Sequence, residues 1–213
     1  MKPSALARLR ERRLIAVIRA ADPAAALGAA RAVAAGGIEL IEVTFTVPDA
    51  PGVMAALRDQ PGVLVGAGTV LDADQARAAL EAGARFLIAP NLSREVAAAA
   101  LAAGAMFCPG AYTTSEILAA RGAGAHVVKV YPVGVAGGPA YIRVIRDPLP
   151  DIPLLAAGGT NLENVMAFLE AGCVGVGLGA SLADPALAAA GRFDEITRRA
   201  RAFVDRVAVG VER

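Results

Sequence analysis

Short apolar runs alternate with longer alanine-rich segments along the chain, and glycine marks the switch between them. "AAGGIELIEVTF", "EAGARFLIAP", "AAGAMFCPG", "GAGAHVVKVYP" and "EAGCVGVGLGAS" share one layout. A helical alanine-rich stretch ends, glycine follows, and four to six mostly β-branched or apolar residues come next. Glycine at that point permits the left-handed cap that a side chain would penalise. The run after it is apolar on both alternating faces, as in a parallel sheet covered on both sides. Gly83, Gly104 and Gly124 are spaced by 21 and 20 residues, about one strand plus one helix.

With the weaker units included, the pattern predicts eight strands: 14–19, 38–43, 63–66, 85–89, 106–108, 127–131, 152–156 and 174–178. "DADQARAALEAGA", "NLSREVAAAALAAG" and "NLENVMAFLEAG" supply helices between them, with Asp72 placed to cap the first. Eight strand–helix units without a Pro/Ser-rich linker predict one α/β domain over residues 1–213, a (β/α)8 TIM barrel. A doubly wound open sheet is the alternative, but it usually has fewer units.

Composition narrows the function classes. The net charge of +1 offers no field for nucleic acid or an acidic membrane, and 4% aromatics without tryptophan offer few stacking surfaces. The apolar run Leu14–Ile18 is shorter than the core of a signal peptide. The longest uncharged run, from Val96, is broken by Pro109 and Gly110. A soluble, cytoplasmic protein is the expectation, with Cys108 and Cys173 as buried reduced thiols. The lone histidine, His126, excludes multi-histidine zinc sites and is expected to be solvated or capping at a strand start.

In a barrel of this type the chemistry sits at the carboxyl ends of the strands. Those ends carry Arg19, Glu42, Thr69, Pro90 and Lys129, followed by "AAGGT" and "GLGAS". Only two of the 21 basic residues are lysines, Lys2 and Lys129, and Lys129 stands inside the valine run "HVVKVYP". It is either a rim-snorkelling or ion-paired structural cation, or a nucleophile. A structural cation could have been arginine, as nearly everywhere else, whereas only lysine can lose its proton and attack a carbonyl. In apolar surroundings the ammonium form of a lysine is disfavoured.

Glu42 lies near the end of its strand, whereas Glu39, of opposite parity, lies near the start and is expected to be solvated. One carboxylate beside an imine-forming lysine could serve every proton transfer; an ordinary ion pair predicts the same contact. Gly158, Gly159 and Gly179 fall in the loops after strands seven and eight, where backbone N–H groups can approach phosphate or another anion. Ser181 adds a hydroxyl.

The motifs "EVTFT", "GAGTVL", "APN", "CPGAYTTSE", "VKVYP", "AAGGT" and "GLGAS", in that order, resemble the 2-keto-3-deoxy-6-phosphogluconate aldolase family. Its relatives acting on the galactonate epimer and on 4-hydroxy-2-oxoglutarate are equally similar, and the likeness runs from Ile15 to Ser181. It implies a class I aldolase: a homotrimeric barrel that binds a keto acid and pyruvate and needs no metal or cofactor. Carried over by position, Lys129 forms the imine and Glu42 is the general acid/base. Arg19 and Thr69 hold the pyruvyl carboxylate and Pro90 shapes the pocket beside them. Gly158, Gly159, Gly179 and Ser181 receive the distal phosphate.

One position departs from the pattern: Thr46 stands where phosphogluconate-type members often have arginine. That favours the galactonate or hydroxyoxoglutarate type, or relaxed specificity. Two other functions fit the barrel. A phosphosugar isomerase or epimerase would use Glu42 for proton abstraction and release no pyruvate. A non-catalytic ligand-binding or assembly barrel would bind keto acids without turnover.

Overall fold

The computed structural model describes residues 4–211. Nine short strands, all parallel, form one sheet. They are β1 (Leu14–Ile18), β2 (Leu40–Thr44), β3 (Leu64–Gly68), β4 (Phe86–Ile88), β5 (Met106–Cys108), β6 (Gly110–Ala111), β7 (Val128–Val130), β8 (Leu154–Ala157) and β9 (Gly175–Leu178). The sheet runs β5-β4-β3-β2-β1-β9-β8-β7-β6, so its two outer members are consecutive in sequence. β5 and β6 form a single stave interrupted at Pro109, which has no N–H to give to a ladder. On one side Ala89 N donates to Cys108 O at 3.2 Å; on the other Lys129 N donates to Pro109 O at 2.9 Å. The nine segments thus make the eight staves of a (β/α)8 barrel, as the repeat predicts.

Helices α1 (Ala5–Arg12), α2 (Pro23–Ala35), α3 (Ala50–Leu57), α4 (Ala73–Glu81) and α5 (Arg94–Ala102) belong to the first half. In the second half come α6 (Thr114–Gly122), α7 (Pro139–Arg146), α8 (Val165–Glu170), α9 (Pro185–Ala189) and α10 (Phe193–Val211). The repeating glycine behaves as expected: Gly37, Gly83, Gly104, Gly124 and Gly172 all have φ between 65° and 101°. Asp72 caps α4 by accepting from Gln75 N at 2.8 Å.

Two apolar layers hold the barrel. The outer one lies between strands and helices and includes Ile18, Val43, Leu57 and Phe168. The inner one fills the barrel with Ile15, Leu40, Phe86, Ile88, Met106, Cys108, Val127 and Leu155. α1 closes its amino-terminal end by inserting Ala5 and Leu9 into that inner layer. Gly175 makes the insertion possible, since a Cβ there would lie 2.5 Å from Leu9 Cδ1.

This helix changes the reading of Glu39. It is ion-paired with Arg8 and with Arg12, whose Nε is 2.7 Å from its Oε1. Sequence spacing along β2 gives no indication of α1 and so left Glu39 in solvent. His126, expected to be solvated or capping, is instead half-buried, and its Nδ1 accepts from Phe107 N at 3.1 Å in the neighbouring strand.

Candidate active site

Side chains alternate between the two faces of a strand, so Glu42 shares the inward face with Leu40, and Lys129 with Val127. Each is one pleat nearer the carboxyl end than its apolar neighbour. The barrel interior thus passes from a dry hydrocarbon layer to a layer containing a carboxyl and an amine. Both are buried: Glu42 is 2% exposed and Lys129 6%. The other buried polar side chains among the described residues are Thr44 and Thr160.

β3 makes room for this layer with glycines on its inner face. A Cβ at Gly66 would lie 2.3 Å from the Phe86 ring, and one at Gly68 would lie 1.9 Å from Glu42 Oε1. The carboxyl therefore occupies the space that a side chain at position 68 would fill. Burial raises the Glu42 pKa above its ordinary 4.5, and the positive charges of Lys129 and Arg19 offset only part of that effect. Glu42 Oε1 is buried without a hydrogen-bond partner in the protein. Such an oxygen is costly to the fold and available to a ligand.

Cys108, in the layer below, feels both Lys129 and Glu42. Burial pushes its thiol up to about 12, Lys129 lowers it and Glu42 raises it. It remains a neutral packing thiol. Lys129 Nζ lies 4.7 Å from the centroid of the Tyr131 ring, within cation–π range.

A cavity of about 450 Å³ opens at the carboxyl ends of the strands. It brings together Arg19, Lys129, Gly158, Gly159, Gly179 and Ser181 of the expected residues, with Tyr131 and Thr160 added. Glu42 does not line this cavity; it is buried nearby, close enough for Lys129 and Arg19 to act on its charge. Pro90 lines a neighbouring cavity of about 300 Å³, and Tyr131 is the wall common to both. Thr69 lines neither. It follows Gly68 at the end of β3 with φ of 55°, a left-handed conformation that a β-branched residue adopts only under constraint. Strain of that kind costs about 1–3 kcal/mol and concentrates at functional sites.

The hydroxyls at the mouth are already engaged. Thr160 Oγ1 donates to Gly177 O at 2.6 Å, and Ser181 Oγ donates to Thr160 O at 2.9 Å. The Ser181 proton therefore braces the loop after β8 rather than facing the cavity. Thr44 Oγ1 gives its proton to Ile18 O at 3.0 Å, so the exposed Thr46 Oγ1, 2.6 Å away, is the donor in their contact. Position 46 thus presents a neutral hydroxyl.

Tyr131 and Thr160 were not singled out from the sequence. Both stand in quoted motifs, "VKVYP" and "AAGGT", and Tyr131 shares the parity of Lys129. Parity was the available clue. Among the described residues no group of three or more His, Cys, Asp or Glu is placed to hold a metal, and no helix is long and apolar enough to cross a membrane.

The chain is thus a parallel (β/α)8 barrel with a lysine and a carboxyl buried near its carboxyl-end mouth, an architecture suited to an enzyme. The chain belongs to the KDPG and KHG aldolase family, whose model matches residues 6–199. It is 36% identical over 172 residues to the 2-dehydro-3-deoxy-6-phosphogalactonate aldolase of Escherichia coli (strain K12), covering 79% of this chain and 83% of that one. It is 34% identical over 205 residues to the 2-dehydro-3-deoxy-phosphogluconate aldolase of Pseudomonas aeruginosa, covering 93% and 91%. The KDPG aldolase of Legionella pneumophila, solved with pyruvate captured as a covalent carbinolamine, superposes with a TM-score of 0.84 at 29% identity. That match covers 95% of this chain and 98% of the other.

Proposed function

We propose that the chain is a class I aldolase that cleaves a 2-keto-3-deoxy-6-phospho sugar acid or 4-hydroxy-2-oxoglutarate to pyruvate and an aldehyde, glyceraldehyde 3-phosphate or glyoxylate, through an imine on Lys129. The observation that carries this reading is the burial of two ionisable side chains, Lys129 and Glu42, at the carboxyl end of the barrel, near enough for their charges to interact. The covalent carbinolamine in the Legionella pneumophila relative supports the same chemistry.

The Lys129 amine attacks C2 of the keto acid. Protonated Glu42 gives its proton to the carbinolamine hydroxyl, which leaves as water, and an iminium and a Glu42 carboxylate remain; hydrolysis later returns that proton. Glu42, as carboxylate, takes the C4 hydroxyl proton. The C3–C4 electron pair then moves into the iminium, giving an enamine and a free aldehyde. The protonated Glu42 returns a proton to C3, and water hydrolyses the iminium to pyruvate and free lysine. Across these steps Glu42 takes and returns the same proton. A carboxyl whose pKa is raised by burial is suited to both directions. The Tyr131 face favours the cationic iminium that draws the electrons. Arg19 and Thr69 are assigned to the substrate carboxylate, and Pro90 to the pocket wall. The distal phosphate is assigned to the backbone of Gly158, Gly159 and Gly179, with Ser181 bracing that wall.

Thr46 presents no cation to the hydroxylated end of the substrate, which supports acceptance of both C4 epimers. The test is a coupled pyruvate assay with the gluconate-derived, galactonate-derived and 4-hydroxy-2-oxoglutarate substrates side by side. Pyruvate is expected from all three, fastest from the two phosphorylated acids. Interconversion without pyruvate would replace this reading with an isomerase or epimerase, and binding without turnover with a ligand-binding barrel.

The family likeness and exposed apolar side chains, among them Val135 at 80% and Val144 at 67%, support a homotrimer. Sedimentation equilibrium is expected to return about three times the 21.5 kDa chain mass, and a monomer would refute the assembly. A cytoplasmic location completes the proposal. Cell fractionation checks it, and recovery with membranes would oppose it.

A further inference from the structure

The loop after β8 is pinned at three successive carbonyls. Gly158 O accepts from Gly134 N at 2.7 Å, Gly159 O from Asn164 Nδ2 at 2.9 Å, and Thr160 O from Ser181 Oγ at 2.9 Å. In a planar trans peptide the carbonyl and the following N–H point in opposite directions. Pinning these oxygens therefore turns the Gly159 and Thr160 N–H groups to the other side of the loop. Among the described residues no protein group accepts from either. Both residues line the cavity that contains Lys129.

Asn164 stands out in this arrangement. It sits at the N-cap of α8, yet its side chain makes no cap hydrogen bond. Ser4, Asp22, Asp72, Ser93 and Thr113, at the same place in other helices, all accept from their own helix. The Asn164 amide instead turns back to the loop, giving Nδ2–H to Gly159 O and taking Asn161 N–H on Oδ1 at 2.8 Å. A carbonyl on one side and an N–H on the other allow only that orientation of the amide. Asn161 Oδ1 in turn accepts from Asn164 N at 3.0 Å, which fixes the backbone carrying the amide. Gly158 and Gly159 have φ of 79° and 94°, and a Cβ at Gly159 would lie 2.8 Å from Gly134 Cα. The loop thus has no side chain of its own to set its peptide planes at the glycines.

We propose that Asn164 is a positioning residue that aims the Thr160 N–H at the distal phosphate of the substrate and so sets the preference for phosphorylated over unphosphorylated keto acids. This rests on the assignment of the glycine loops to the phosphate. Asn164 touches neither the reacting carbons nor Lys129; it acts through the peptide it holds.

The experiment compares wild type, Asn164→Ala and Asn164→Asp on the phosphorylated sugar acid and on 4-hydroxy-2-oxoglutarate, with inorganic phosphate as inhibitor. Loss of one oriented hydrogen bond is expected to raise KM for the phosphorylated substrate roughly 5–10-fold. It should weaken phosphate inhibition equally, with kcat and all hydroxyoxoglutarate kinetics unchanged. Asn164→Asp keeps the acceptor for Asn161 N–H but sets a carboxylate oxygen against Gly159 O, so its effect on KM should be larger. Should Asn164→Ala fail to fold, Asn164→Ser retains a short donor and serves the same comparison. Equal changes on both substrates, or none on either, would overturn the positioning role. A wild-type enzyme indifferent to phosphate and without preference between the substrates would instead overturn the phosphate assignment itself, before any variant is made.

Discussion

Lys129→Ala is expected to lose pyruvate release by on the order of 10⁴-fold or more, as removal of a nucleophile acting with partner groups does. Treatment with pyruvate and borohydride should add a stable mass increment to the wild-type peptide containing position 129 and none to the variant. The informative companion is Lys129→Arg. Arginine keeps the positive charge beside the Tyr131 ring and can pair with Glu42, so a merely structural cation would be restored by it. A nucleophile would not, because guanidinium does not give up its proton at accessible pH. Wild-type turnover in either variant, or a borohydride adduct mapped elsewhere, refutes the imine assignment. The side chain is 6% exposed, so circular dichroism of each variant should accompany the kinetics.

Glu42→Gln should lower kcat/KM by about 10²–10⁴-fold, the range for loss of a positioned acid/base. Imine formation at Lys129 should survive, so the borohydride adduct is still expected, formed more slowly. The pH dependence follows from the direction of the shift. Burial raises the Glu42 pKa above 4.5, so the folded chain holds this proton more tightly than the unfolded chain. The carboxylate needed for cleavage therefore appears only as pH rises through the raised value, and the acid limb of the wild-type profile should lie above the ordinary carboxylate range. Stability runs the opposite way. The contribution of this group is complete below pH 4.5 and is lost as pH rises through the folded value. Glutamine carries no titrating proton. Thermal melts of the two proteins over that window should diverge with the wild type losing ground as pH increases. Parallel melting curves, together with an unchanged acid limb in Glu42→Gln, would remove Glu42 from both roles.

The two predictions draw on one feature of the barrel. Its glycines at positions 66 and 68 leave room for a ring and a carboxyl inside a closed wall. The charged layer is held by what surrounds it: an apolar floor beneath, Arg19 at the rim and Tyr131 beside the amine. A buried oxygen without a partner on Glu42 is a cost the fold bears at the position where the proposed mechanism needs an acceptor.

Local patterns along the chain were sufficient for the eight-unit barrel. Glycine after alanine-rich helix, then a short apolar run, is a nearest-neighbour matter of caps and alternating faces. Parity along "IELIEVT" and the rarity of lysine singled out Glu42 and Lys129 for the same reason, since position on a strand dictates which face a side chain takes. Contacts between distant segments could not be read this way. The closure of the barrel floor by α1 joins Leu9 to Gly175 and Arg8 to Glu39. The break at Pro109, the sharing of Tyr131 between two cavities and the bracing of Thr160 by Ser181 likewise depend on how staves meet in space. Asn164 carries no local signal of its role, because only the folded loop brings Gly159 O within reach of its amide. Which residues can act is written in short-range alternation; where their partners lie is decided by closure of the sheet, which brings together atoms that no local pattern links.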